Sequence, residues 1–107
     1  MLCPGVSEAY GGVGADFRYN MVVSEEASRL GLTGVGFILH NDVTVPYLEN
    51  VGSEAQKQKF LPKCVSGECV VAIAMTEPGT GSDLQGIRTP AVDKGDHYLL
   101  NGSKTFI

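Results

Sequence analysis

Cysteine is scarce in this sequence and poorly spaced for pairing. Cys3, Cys64 and Cys69 are odd in number, which makes a weak disulfide framework. Four residues, not two, separate Cys64 from Cys69, so the zinc and redox spacing is missing and no metal site is expected. Free thiols in a reducing compartment are the expectation. Basic charge is also short. Eight Lys and Arg stand against 12 Asp and Glu, for a net charge of −4. That excludes non-specific nucleic-acid binding, which needs clustered cations to displace counterions. It does not exclude a small phosphorylated ligand, because backbone N–H groups and helix ends bind phosphate without net positive charge. No long apolar run is present. The stretch from Leu30 to Leu39 is broken by Gly31, Thr33, Gly34 and Gly36, well short of the ~20 residues a membrane helix needs. Met1-Leu2-Cys3-Pro4-Gly5 lacks the basic start and apolar core of a signal peptide. A soluble chain with no membrane partner is therefore expected. Disorder is excluded as a global description, since 43% of the 107 residues are apolar and 19% charged.

The first part of the chain reads as helical. Tyr10-Gly11-Gly12-Val13-Gly14 is a glycine-rich entry. Asp16 is placed to cap a helix from Phe17 to Leu30, with Val23, Ala27 and Leu30 on one stripe. Gly31 is its stop. A second helix is expected from Val35 to about Leu48, broken or kinked at Val45-Pro46. Ser53 with Gln56 forms a capping box. The helix it opens is expected to end near Leu61, at Pro62. Glu54 at its start and Lys57, Lys59 and Lys63 toward its end suit the helix dipole, and the lysines read as a solvated face.

The character changes near Gly67. Val70 to Met75 is a continuous apolar run of strand length. A turn-rich segment follows, from Thr76 to Asp83. Asp93-Lys94-Gly95-Asp96 reads as a turn and His97 to Leu100 as a strand. Asn101-Gly102 is a strong hairpin signal, with Ser103 to Ile107 as the return strand. The fold class is therefore α+β: N-terminal helices over residues 1–67, then an antiparallel β meander over residues 68–107, the part of a β-barrel. Ile107 falls inside a strand with no edge protection, so the chain is expected to be a truncated piece of a larger fold, cut at both ends. Unpaired strand edges are an aggregation liability, and weak or no independent folding is expected.

The segment Met75 to Asp83 carries the chemistry. Gly79 and Gly81 remove side chains where a pyrophosphate could approach the backbone, and successive amides there can form an anion-binding nest. Thr76 and Ser82 add hydroxyls. On its own this remains either a simple turn or a ligand loop. No Walker lysine follows, which removes the triphosphate reading. Gly12-Val13-Gly14-Ala15-Asp16-Phe17 lacks the third glycine and preceding strand of a dinucleotide fingerprint. His40, beside Asn41 and Asp42, has no paired nucleophile in view and reads as a surface or cap residue. His97 reads as an exposed strand residue.

The run Ala72 to Gly86, Ala-Ile-Ala-Met-Thr-Glu-Pro-Gly-Thr-Gly-Ser-Asp-Leu-Gln-Gly, resembles the flavin-loop signature of acyl-CoA dehydrogenases. The resemblance continues in register. Tyr10-Gly11-Gly12, Gly52 to Lys57 with Phe60-Leu61-Pro62, and Asn101-Gly102-Ser103-Lys104-Thr105-Phe106-Ile107 match further motifs of that family in the right order. Together they cover nearly all of the chain after Ser7. The Ile-Ala-Met-Thr-Glu-Pro version is most similar to the long-chain branch. Two departures stand out. Pro4 to Ala9 differs from the family's usual Val-Pro-Glu-Glu, which leaves the docking of the first loop in question. Pro90 stands at a strand position that commonly has a free N–H, which weakens pairing unless it lies on an edge.

The resemblance implies FAD as cofactor. Ile73, Ala74, Met75, Thr76, Glu77, Pro78, Gly79, Thr80, Gly81 and Ser82 would line it. Met75 and Thr76 would face the isoalloxazine. Gly81 and Ser82 would approach the pyrophosphate, and Ser82 would be shared with the acyl-CoA substrate. Phe106 and Ile107 would pack on the ring. It further implies α,β-dehydrogenation of fatty acyl-CoA thioesters in fatty acid β-oxidation, electron-transfer flavoprotein as acceptor, and a homotetramer. The compartment would be the cytoplasm in a bacterium or the mitochondrial matrix in a eukaryote. The family's catalytic base is a glutamate on a C-terminal helical domain; no acidic residue here matches its motif, Glu77 included. No catalytic residue is assigned, and this chain alone is expected not to oxidise acyl-CoA. The alternative is a non-catalytic remnant or interaction fragment without flavin.

Overall fold

Asp16 opens the first long helix by accepting the Arg18 amide on its carboxylate at 2.9 Å, one of the four amide donors a helix start leaves unpaired. Helix α1 then spans Phe17–Arg29, and Gly31 follows at φ +68°. The computed structural model describes residues 2–107. It divides into two compact units, one ending at Ala72 and the other Ile73–Ile107. The stripe expected on α1 is only partly covered: Val23 and Ala27 are half-buried and Leu30 is exposed. Its buried residue is Asn20, which donates to the Asp42 carboxylate.

The second helical stretch runs over residues 37–51. Its first part, Leu39–Thr44, is wound as a wide π turn and passes directly into α2, Val45–Val51. Pro46 causes this. It has no N–H, and in a regular helix its ring would strike the Asp42 carbonyl. Widening the preceding turn relieves that clash, so the expected break appears as a change of winding. The Val45 amide reaches back to the His40 carbonyl, and Thr44 Oγ1 donates to the Leu39 carbonyl at 3.1 Å. His40 and Asn41, neighbours in sequence, are both buried as a result.

Helix α3, Glu54–Ser66, begins with both halves of the capping box. The Gln56 amide donates to Ser53 Oγ at 3.3 Å, and the Ser53 amide to Gln56 Oε1 at 2.8 Å. It does not stop at Pro62 but continues to Gly67, at φ +85°. Leu61 and Cys64 are both wholly buried. Burying one leucine is worth about 1.5–3 kcal/mol, comparable with the ~3 kcal/mol cost of a helical proline, and Cys64 adds to the gain.

The core of the first unit joins these helices to the opening loop. Cys3, Pro4 and Val6 are buried with Val45, Leu61 and Cys64. The first loop therefore docks firmly despite its departure from the family pattern, because it supplies apolar side chains of its own. The Cys3 amide donates to Asn41 Oδ1 at 2.9 Å and the Ser7 amide to Glu49 Oε1 at 3.2 Å. All three cysteines are free. Burial pushes the Cys3 and Cys64 thiols up to about 11, which keeps them neutral and unreactive.

His40 is not a surface or cap residue. It is 4% exposed. Its Nδ1 accepts from the Val71 amide at 3.3 Å, so Nε2 carries the hydrogen and donates to the Cys64 carbonyl at 3.2 Å. One ring thereby ties α3 and the segment leaving it to the π turn.

The second unit contains β1, Ala91–Asp93, and β2, Tyr98–Leu100, paired antiparallel with Val92 opposite Leu99. The turn between them is the expected Asp93 to Asp96 segment. Gly95 sits at φ +96°, and the Lys94 amide donates to the His97 carbonyl at 2.9 Å. The hairpin expected at Asn101-Gly102 does not form. Gly102 is not at positive φ, which a type I′ turn requires. Val70 to Met75 and Ser103 to Ile107 are likewise not assigned as strands. A strand needs a repeating ladder, and Ser103 to Ile107 makes a single backbone bond here, from the Thr105 amide to the carbonyl of Thr76, one residue past the apolar run, at 3.0 Å. Pro90 lies just before β1, where its missing donor breaks no β1–β2 pair. The architecture is α+β with an open two-stranded sheet among the described residues, and no helix there is long and apolar enough to cross a membrane.

Candidate functional site

Residues Thr76 to Ser82 form a tight bend closed on itself. The Glu77 amide donates to the Thr80 carbonyl and the Thr80 amide to the Glu77 carbonyl, each at 3.0 Å. This reciprocal pair turns the Glu77 and Thr80 side chains inward, where both are buried. Pro78, Gly79, Gly81 and Ser82 are left exposed. Asp83 accepts the Gln85 amide and starts a short 3₁₀ turn, Leu84–Gly86. Gly86 lets that turn return close to the bend, since a Cβ there would lie 2.7 Å from Thr80 Oγ1.

Glu77 is the electrostatic centre of the unit. Its carboxylate accepts from the Arg88 amide at 2.9 Å and the Thr89 amide at 3.1 Å, and pairs with Lys104 Nζ at 2.9 Å. The same ammonium donates to the Met75 carbonyl at 3.2 Å. Hydrogen bonds from Thr89, Arg88 and Lys104, in that order of size, hold the Glu77 carboxyl down at about 2, below its usual 4.5. A depressed acid constant gives a signed prediction. The contribution of Glu77 is complete above about pH 4.5 and is lost as the pH falls through about 2. Hydrogen exchange at the Arg88 and Thr89 amides of the complete gene product is expected to accelerate over that acid window, beyond the intrinsic change. Glu77→Gln is expected to show the fast exchange already at neutral pH. Protection indifferent to pH would refute it.

The structure brings together some of the residues expected to form a site. Met75, Thr76 and Glu77 lie beside Lys104 and Thr105, which places the loop next to the segment leading to Phe106 and Ile107. Met75 and Thr76 are half-buried, as is Ile73, while Ala74 is exposed. Phe106 is 95% exposed and holds φ at +56°, a costly conformation for a bulky residue. Ile107 is exposed as well. An open cavity of about 410 Å³ lies against the bend, lined by Glu77, Pro78, Gly79 and Thr80 and, across from them, by Arg88, Thr89, Asn101 and Ser103. Thr76 and Ser82 do not line it. Gly79 and Gly81 face open space: a Cβ at either meets no atom within 4 Å, and neither is at positive φ.

Sequence reasoning missed Lys104, Arg88 and Thr89 as the partners of Glu77, and missed Asn41 as the partner of Cys3. A lone acid in a glycine-rich loop was the available signal for the first group. No local spacing pairs residues 27 apart. Among the described residues no cluster of three or more His, Cys, Asp or Glu could hold a metal, and no acidic side chain is positioned as a free base in the bend.

The comparisons with known proteins follow the same division of the chain. Residues 1–68 match the family model for the acyl-CoA dehydrogenase N-terminal domain, and residues 72–107 that for the middle domain. The long-chain specific acyl-CoA dehydrogenase of Sus scrofa mitochondria is 50% identical over 107 residues, all of this chain and 25% of that protein. The crystal structure of acyl-CoA dehydrogenase from Geobacillus kaustophilus superposes with a TM-score of 0.88 at 58% identity, over 98% of this chain and 28% of that one. An acyl-CoA dehydrogenase from Bacillus anthracis, complexed with FAD, superposes at 0.85 with 37% identity, over 96% of this chain and 18% of that one. The chain thus spans about a quarter of the length of the curated relatives it matches. With two consecutive domains matched in order, and the loop and helices in place, this chain belongs to the acyl-CoA dehydrogenase family.

Proposed function

We propose that the chain supplies the flavin loop and the preceding helices of an FAD-dependent acyl-CoA dehydrogenase that introduces an α,β double bond into fatty acyl-CoA thioesters. The observation that carries this reading is the pair of glycines, Gly79 and Gly81, that the chain's own packing does not require. Their open space leaves room for a pyrophosphate and for backbone amides to reach it. The residues suit the cofactor in character. Met75, Phe106 and Ile107 offer apolar contact for the isoalloxazine. The Thr76 and Ser82 hydroxyls make no hydrogen bond among the described residues and are free to bond its polar edge and the phosphates. Ile73 and Ala74 lead into that surface, and Pro78 and Thr80 shape the bend. Ser82 would also touch the acyl-CoA.

When bound, FAD would supply the acceptor for the β-hydride. The contribution of this chain is positional: it holds the reacting face and excludes water around it. We assign no residue here as the base that removes the α-proton. In the first unit an apolar groove of about 470 Å³, lined by Ala27, Leu32, Phe37, Ile38, Leu39 and Val43, has the character an acyl chain requires. We take the helical part as residues 1–67 and the β part as residues 68–107. Electron-transfer flavoprotein as acceptor, a tetrameric assembly, and a bacterial cytoplasmic or mitochondrial location belong to the same proposal.

The test is FAD binding by the complete gene product, stripped of flavin and titrated by fluorescence. Gly81→Val is expected to weaken FAD affinity about tenfold, equivalent to ~1.4 kcal/mol, while leaving the melting temperature of the flavin-free protein unchanged. Equal affinity in the variant would remove the loop from the site. No binding by the parent protein would leave the remnant reading.

A further inference from the structure

Glu77 lies inside the proposed flavin loop, yet its carboxylate is fully engaged away from the exposed bend. The side chain is 8% exposed. Its two oxygens accept the Arg88 amide, the Thr89 amide and the Lys104 ammonium at 2.9, 3.1 and 2.9 Å. A carboxylate offers about four acceptor sites, so little capacity remains for a ligand. The donors come from two separate segments: one enters β1, the other leads to Phe106. Lys104 adds a second link by donating to the Met75 carbonyl at 3.2 Å, and the Thr105 amide bonds the Thr76 carbonyl at 3.0 Å. Three contacts, one to each residue, therefore fix residues 75–77 against residues 104–105.

We propose that Glu77 and Lys104 form a positioning clamp that holds the flavin loop from behind and sets the separation between Thr76 and Phe106, with neither residue touching the cofactor. This deepens the proposed function and rests on it. A buried, hydrogen-bonded ion pair of this kind gives geometric definition more readily than net stability. Thr76 is the residue expected to bond the flavin's polar edge, and Phe106 the one expected to meet its face. The clamp decides whether both can act on one ring system. Losing either partner leaves the other charge unpaired beside backbone dipoles and releases the loop.

The experiment uses the complete gene product with Glu77→Gln, Lys104→Met, Lys104→Arg and the double variant Glu77→Gln/Lys104→Met. FAD affinity, the visible absorption of bound flavin and its midpoint potential are read for each. Glutamine cannot replace the carboxylate, because its NH2 group would face a donor. Both charge-removing single variants are expected to weaken FAD affinity about tenfold and to shift the absorption and potential of the flavin still bound. The double variant is expected to be no worse than either single one, the signature of one shared interaction. Lys104→Arg is expected to restore most of the affinity. If Glu77→Gln does not accumulate as folded protein, Lys104→Met, altering a side chain already 25% exposed, decides the matter. Variants that melt earlier but keep parental affinity, spectrum and potential would overturn the clamp and leave the flavin reading intact. A parent protein that binds no FAD would overturn both.

Discussion

Replacing Gly12 with alanine is expected to lower the stability of the complete gene product by about 3 kcal/mol. A Cβ at this position would lie 1.9 Å from the Val6 carbonyl oxygen and 2.5 Å from its carbon. Those atoms are backbone and cannot swing aside. The Val6 carbonyl also accepts the Gly14 amide at 2.9 Å, so pushing it away breaks a turn as well. Val6 itself is 2% exposed and belongs to the core with Cys3, Val45, Leu61 and Cys64. The added methyl therefore displaces the whole opening loop. The urea midpoint should fall with the slope unchanged. Gly79→Ala is the internal control: nothing lies within 4 Å, and its stability should change by no more than ~0.5 kcal/mol. Equal effects at the two glycines would show that the loop is not seated as described.

His40→Ala is expected to cost a similar amount. The substitution strands the Val71 amide and leaves the Cys64 carbonyl with only the weak Cys3 thiol contact at 3.7 Å. Each unpaired buried group costs about 1–3 kcal/mol, and the emptied volume adds to it. His40→Gln keeps one donor and one acceptor on a side chain of similar reach and should recover part of the loss. Hydrogen exchange separates this from a general softening. The Val71 amide should lose protection in the alanine variant more than the amides of α3 do. Unchanged protection at Val71 would mean that the imidazole does not hold it.

The local signals in the sequence were the readable ones. Asp16, the Ser53–Gln56 box and the Asp93–Asp96 turn act within a few residues, and each appears where chain-local chemistry places it. Pro62 misled because local cost was outweighed by distant burial of Leu61 and Cys64. Asn101-Gly102 misled for a related reason. Gly102 is needed for contact, not for a turn: a Cβ there would meet Thr89 Oγ1 at 2.2 Å. Val70 to Met75 has strand composition, but a ladder depends on partners that composition does not supply. His40 was the largest misreading of role, and the partners of Glu77 were out of view. Each draws its meaning from contacts 24 to 31 and 11 to 27 residues away. The motif Met75 to Ser82 marked where a ligand could sit; what holds that motif in place was outside its own span.

The π turn at Leu39–Thr44 has a consequence for length variation. Such a turn accommodates one residue more than an α-helical path of the same direction. Removing a single residue there would restore regular winding and leave the flanking segments on their direction, but would take one residue of the wide turn out of the interior. His40 and Asn41, the adjacent pair that the wide turn buries together, could then no longer share the interior. A homologue with a one-residue gap between Leu39 and Pro46 should therefore also have lost the proline, and should carry a different residue in place of the buried imidazole.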